Sequence, residues 1–217
     1  MKPKYEFCQM QLLVTAATRA ELELFDDIKQ YADIEITGVG VPATIYHLQK
    51  RLLKKQYDLV LQAGIAGFFN PALNLGEVVV VKEDAFADIG IRESSAFTSI
   101  YNTVFADKDA FPFNNGWLVN QNDIIHQLNM PLVKAVTINT ISDSEIQKQQ
   151  LLQHFSPDIE TMEGAGMHFV CLHENVPFLQ LRSISNEVGV RDKSKWKMKE
   201  AIINLNEELI KLVKLVK

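Results

Sequence analysis

The chain has 217 residues and a formal net charge of −5, so it lacks the basic excess that a nucleic-acid-binding surface needs. Apolar residues make up 47% of it, the ordinary globular level, and that length can bury a sizeable core within one domain spanning 1–217. No run approaches the ~20 apolar residues of a membrane span. Nor does the N-terminus read as a signal peptide, because acidic and polar residues interrupt its apolar stretch.

The expectation is therefore a soluble cytoplasmic protein with neither nucleic acid nor membrane as partner, which leaves a nucleotide-sized small-molecule ligand open. Cys8 and Cys171 lie far apart in apolar surroundings, which fits a reducing compartment better than a structural disulfide. The histidines His47, His126, His154, His168 and His173 are scattered. No Cys/His cluster has zinc spacing, so no zinc site is expected.

Residues 11–17 form a short apolar run whose Val and Thr content favours a buried strand. Thr18, with Glu21 three residues later, matches a capping box for a helix over about 20–30, with Leu22, Leu24, Phe25 and Ile28 as its apolar positions. Glu21 is then either the cap partner or a carboxylate at the mouth of the first strand. A second strand is predicted over 34–37, and a turn-rich connection, Gly38-Val39-Gly40-Val41-Pro42, leads to an amphipathic helix over 43–55.

Residues 58–62 read as a strand followed at once by Gly64-Ile65-Ala66-Gly67. The glycines suit a ligand loop that exposes its N–H groups, or an ordinary turn. A strand of high β-propensity covers 75–81. Residues 83–116 have no clean period and hold several aromatic side chains, and such a span is more often functional than idle. A further strand over 133–138 ends in Asn139-Thr140-Ile141-Ser142, and a polar helix covers 144–154. The C-terminal helix, 196–217, turns Ile202, Leu205, Leu209, Leu212 and Leu215 toward the core. The alternation of strands and helices predicts an α/β fold.

The stretch 162–186 carries most information. Glu163 stands at the start of a helix over 164–174. The apolar run Val176-Pro177-Phe178-Leu179 then enters a strand ending in Arg182, Ser183, Ser185 and Asn186. Polar groups at the carboxyl end of a buried strand are where open α/β sheets bind ligands.

The order of these landmarks resembles the nucleoside phosphorylase and nucleosidase family. They are Ala-Ala-Thr-x-x-Glu, Gly64-Ile65-Ala66-Gly67, Leu75-Gly76-Glu77-Val78-Val79-Val80, Met162-Glu163-Gly164-Ala165 and Arg182-Ser183-Ile184-Ser185-Asn186. The match covers essentially the whole chain. Within the family, the segment from Ser185 to Trp196, with Val136-Thr137-Ile138-Asn139-Thr140 and Ala87-Asp88-Ile89-Gly90, resembles the futalosine hydrolases more closely than the adenine-specific nucleosidases.

The resemblance implies a mixed central β-sheet flanked by helices, a homodimer or higher homo-oligomer, and hydrolysis of an N-glycosidic bond in menaquinone biosynthesis with no metal or organic cofactor. It implies that Glu163 accepts hydrogen bonds from a ribose diol while Met162 packs on the sugar. The rival reading of Glu163 is a helix-terminal acid favoured by the macrodipole.

Asn186 stands where adenine-specific nucleosidases carry aspartate. Its amide can donate to N7 or to a 6-oxo group, which favours a 6-oxopurine leaving group such as hypoxanthine; the rival is a loop-capping Asn. Glu21, which needs a small shift from direct alignment because Arg19 falls nearer, is the candidate for orienting water. Gly64, Ala66, Gly67, Ile141 and Ser185 complete the substrate-binding set. No arginine is near the 64–67 glycines in sequence, which favours water over phosphate. Arg191 and Arg92 are candidate cations for the carboxylate that futalosine carries beyond its ribose, and Phe68, Phe86, Phe97, Phe111 and Phe113 are candidate walls, partly from a dimer mate. A methylthioadenosine-type nucleosidase, a phosphorylase and a non-catalytic nucleoside-binding module remain the alternatives.

Overall fold

The structure, a computed structural model, describes residues 10–94 and 96–216. Cys8 lies outside them. Among the described residues the strands are β1 (Leu12–Ala16), β2 (Asp33–Ile36), β3 (Leu59–Phe68), β4 (Val78–Phe86), β5 (Gly90–Glu93), β6 (Ala96–Ser99), β7 (Leu118–Val119), β8 (Leu132–Thr137), β9 (Ile159–Thr161) and β10 (Phe178–Glu187). The helices are α1 (Phe25–Ile28), α2 (Val41–Leu52), α3 (Glu145–Phe155), α4 (Gly164–His173) and α5 (Met198–Leu215).

Eight strands make one mixed sheet, and β5 and β6 form a separate hairpin. β3 pairs with β10, β10 with β4, β4 with β8, β8 with β9, and β9 with β3 again, so these five close into a ring. β1 and β2 extend from the ring in parallel beside the first half of β3. β1 pairs with Leu59 to Gln62 of β3, whereas β9 meets β3 only at Gly67 and Phe68. The edge of β3 between those two partners is left open by both, and the site forms there.

Alternation along β1 sends its side chains to two cores. Leu12, Val14 and Ala16 pack with Leu205, Leu209 and Leu212 of α5. Leu13 packs with Leu48 of α2 and with Met167 and Val170 of α4. A fully buried leucine of this kind contributes about 1.5–3 kcal/mol.

Four expectations are corrected. The helix over 20–30 is broken into a 3-10 turn, Arg19–Glu21, and the single turn α1. The buried Asn206 of α5 enters the gap, donating to the Glu21 carbonyl and accepting from the Leu24 N–H. It thereby satisfies backbone groups that a continuous helix would have paired within itself. The 64–67 glycine segment is neither loop nor turn, because β3 runs straight through it. The aperiodic 83–116 span holds the end of β4 and the β5–β6 hairpin. Finally, Leu215 is 76% exposed rather than turned to the core.

Candidate active site

A cavity of about 330 Å³ opens where β1 and β9 diverge from β3. Its polar lining includes Thr18, Glu21, Ser142, Glu160, Glu163, Ser185 and Asn186. Its apolar lining includes Val39, Ile141, Val190, Trp196, Met198 and Ile202, and Arg191 also faces it. Met162, Ala66 and Gly67 also face it. Of the predicted site residues, only Gly64 lies behind the lining.

Glu21 comes from the turn that follows β1. Its Oε2 accepts from the Thr18 N–H at 2.9 Å and from the Thr18 hydroxyl at 3.2 Å. Its other oxygen, Oε1, lies 3.0 Å from the point where a Cβ on Gly64 would stand. The cap reading and the site reading thus describe different oxygens of one carboxylate.

Glu163 occupies the N-cap position of α4, yet its side chain makes no bond to that helix. Oε1 instead accepts from the Gly40 N–H at 3.0 Å, tying the β2–α2 connection to the site. The N–H groups at the start of α4 go to threonines: Gly164 N–H to Thr161 Oγ1 and Ala165 N–H to Thr137 Oγ1. This leaves the Glu163 carboxylate unneeded by its own helix. Burial pushes its pKa up, and the Arg182 guanidinium and the Gly40 N–H oppose that shift.

Arg182 was given no role by sequence reasoning, and its position corrects the argument about arginines. It pairs directly with Gly64 across β10 and β3, and a Cβ on Gly64 would lie 2.7 Å from its Nη1. The side chain is 1% exposed, and Nη2 donates to Gln62 Oε1 at 2.6 Å. Burial pulls its pKa down, opposed by the carboxylates of Glu163, Glu21 and Asp84. Gly64 is the position that lets this cation stand behind two acids.

Asn186 and Ser185 sit at the end of β10. The Ser185 hydroxyl lies 2.8 Å from Asn186 Oδ1 and 3.1 Å from the Ala66 carbonyl, and its single proton serves these two acceptors. Asn186 Nδ2 donates to the Glu187 carbonyl at 3.0 Å, which leaves one amide hydrogen for a ligand. Glu160, also missed, is 5% exposed, and its carboxylate accepts from Ser142 N–H and hydroxyl at 3.2 and 2.6 Å. Burial pushes this acid up in pKa, and the Ser142 donors oppose it. The signal for it was a second carboxylate three residues before Glu163, in the short strand β9.

The two candidate cations separate. Arg191 lines the cavity, with its guanidinium carbon 5.7 Å from the Trp196 ring centroid. The loop bearing it is pinned by the Trp196 indole N–H on the Val190 carbonyl at 2.8 Å. Arg92 instead lines a neighbouring polar cavity beside Phe97. Arg19 is exposed and outside the lining. None of the five candidate phenylalanines lines the main cavity, and Phe86 and Phe113 stack on each other and on Phe169.

The chain is 27% identical over 180 residues to the futalosine hydrolase of Thermus thermophilus, covering 82% of this chain and 79% of that one. In three dimensions it is similar to a 5′-methylthioadenosine/S-adenosylhomocysteine nucleosidase from Colwellia psychrerythraea solved with adenine. That likeness has a TM-score of 0.76 and 18% identity over 96% of each chain. It is also similar to the futalosine hydrolase of Helicobacter pylori, with a TM-score of 0.69 and 14% identity over 96% of each chain. At such identities the structural likeness speaks to the fold. A family model described as the phosphorylase superfamily matches residues 34–217, and the chain belongs to that superfamily.

Proposed function

We propose that this protein hydrolyses the N-glycosidic bond of futalosine, releasing hypoxanthine and dehypoxanthine futalosine in menaquinone biosynthesis, as a cytoplasmic homodimer. The observation that carries the reading is one cavity lined by three acids, an asparagine and an arginine. A ribose diol and a purine suit the acids and the amide, and an anionic substituent suits the arginine. The 27% identity to a futalosine hydrolase supports the same reading.

Cleavage creates an oxocarbenium-like sugar and negative charge on the departing base. Glu163 accepts hydrogen bonds from the ribose hydroxyls, and charge-assisted bonds of this kind are the stronger ones. Met162 packs on the sugar. Glu21, with Oε2 held by Thr18, uses Oε1 to orient a water. The water oxygen bonds to C1′ as the C1′–N9 bond breaks, and that electron pair moves onto the purine. Glu21 takes the water's proton. Asn186 donates to N7 or to the 6-oxo oxygen and so supports the leaving hypoxanthine anion, which then collects a proton from solvent.

Water is favoured over phosphate as the acceptor because Arg182 is buried behind the lining and bonded to Gln62. Arg191 is the one cation lining the cavity among the described residues. It is placed to meet the substrate carboxylate, with Trp196, Met198 and Ile202 against the aromatic part.

The test is release of free base from futalosine, aminofutalosine, methylthioadenosine and inosine, each with and without phosphate. Hypoxanthine should appear from futalosine without phosphate. No cleavage of futalosine, or an absolute need for phosphate, refutes the assignment.

A further inference from the structure

We propose that Glu160 is a second base-reading residue, accepting the N1–H of a 6-oxopurine while Asn186 donates to the oxo oxygen or N7. This rests on the reading of the cavity as a purine nucleoside site. It assigns a role to a buried acid that the hydrolytic scheme leaves unused.

The sheet supplies the geometry. Gly67 is the direct partner of Asn186 on one side and of Glu160 on the other. Direct cross-strand partners present their side chains on the same face. Three residues in one rank therefore face the cavity, with the outer two about 10 Å apart at their Cα atoms, two strand spacings. The middle one has no side chain. A Cβ on Gly67 would stand 3.3 Å from Asn186 Nδ2 and 2.9 Å from Val188 Cγ2, so only glycine leaves this slot open. A flat ring lying over Gly67 has one edge toward an amide and the other toward a carboxylate.

The chemistry discriminates between bases. An ionised carboxylate has about four acceptor sites and no donor. Ser142 takes two and fixes the group's orientation. The remaining lone pairs can receive a donor, which a 6-oxopurine offers as N1–H next to its oxo oxygen. A 6-aminopurine offers a bare lone pair at N1, and lone pair against lone pair repels. The competing account is that Glu160 only fastens the Ser142 segment.

Calorimetry on the whole protein separates these accounts with free bases, so it needs no turnover. The wild type should bind hypoxanthine about 10- to 100-fold more tightly than adenine or 1-methylhypoxanthine, which lacks the N1–H. Glu160→Gln, whose amide can either accept or donate, should lower the hypoxanthine-to-adenine ratio at least about tenfold. Ser142→Ala keeps the carboxylate and the backbone N–H that orients it, losing only the hydroxyl, and should keep the ratio within about threefold of wild type.

Equal wild-type affinity for hypoxanthine and 1-methylhypoxanthine overturns the proposal, with no variant required. So does an unchanged ratio in folded Glu160→Gln, or an equal collapse in Ser142→Ala. If discrimination holds while futalosine is not cleaved, the substrate assignment falls and Glu160 stands. If futalosine is cleaved without discrimination between the bases, Glu160 falls alone.

Discussion

Replacing Gly64 with alanine adds one methyl group at the point where three parts of the site converge. The new Cβ would lie 2.7 Å from Arg182 Nη1 and 3.0 Å from Glu21 Oε1. The first distance is about 0.7 Å inside ordinary contact and the second about 0.4 Å. Arg182 has little room to retreat, being 1% exposed and bonded to Gln62 at 2.6 Å. Glu21 is only partly buried and swings on a turn, so it should yield more. Overpacking of this kind costs about 1–3 kcal/mol, which for a chain of this size lowers Tm by roughly 2–10 °C. Displacing a reacting carboxylate by a fraction of an ångström to an ångström costs up to about 100-fold in turnover.

Gly64→Ala should therefore lose roughly 10- to 100-fold in kcat, with KM changed by less than about threefold. Gly166→Ala in α4 is the matched control. Its added Cβ meets nothing closer than 3.4 Å, and the change should be neutral or stabilising by up to about 1 kcal/mol. The measurements are initial rates of base release and a thermal melt for both variants. A Gly64→Ala protein with full kcat and unchanged Tm would refute the packing of Glu21 and Arg182 against that glycine.

Three further outcomes are expected. Asn186→Asp should shift the kcat/KM ratio toward 6-aminopurine nucleosides by about 10- to 100-fold, and an unchanged ratio removes Asn186 from base recognition. Arg191→Gln should raise KM for a substrate with a distal carboxylate by roughly tenfold and leave kcat and the inosine reaction alone; an equal effect on both substrates shows that the arginine meets no anion. Burial raises the pKa of Asp84 from 3.8 to about 7, against the pull of Thr137, Gln180 and Arg182. The folded state therefore holds that proton more tightly than the unfolded chain. The contribution is most favourable below pH ~4 and is lost as pH rises through about 7, by about 4 kcal/mol at most. Relative to Asp84→Asn, the wild type should lose stability over that window in urea titrations; a parallel pH profile for the two proteins contradicts the raised value.

What the sequence revealed depended on how local the cause was. Met162-Glu163 and Ser185-Asn186 were readable because each pair lies in one contiguous motif at the end of one element. The break after Glu21 was not, because it is enforced by Asn206, which is 185 positions away. Arg182 was visible as a polar residue in an apolar strand. Its proximity to Gly64 follows from strand pairing, which composition does not encode. Glu160 escaped for the same reason, since only the β3–β9 register brings it level with Asn186. None of the five candidate phenylalanines lines the cavity of its own chain, because aromatic content marks packing as readily as pockets. Phe86 and Phe113 pack with Phe169 of α4, away from the cavity.

The closed ring of β3, β10, β4, β8 and β9 divides the site by how readily it can change. Glu160 and Asn186 sit on ring strands, whose spacing cannot widen without breaking ladders on both sides. Base preference can then drift only by exchanging the side chains within a fixed frame. Glu21 and Arg191 ride on connections outside the ring, where insertions and deletions cost little. A lineage built on this frame would hold its purine slot nearly constant and diversify the group accepted beyond the sugar.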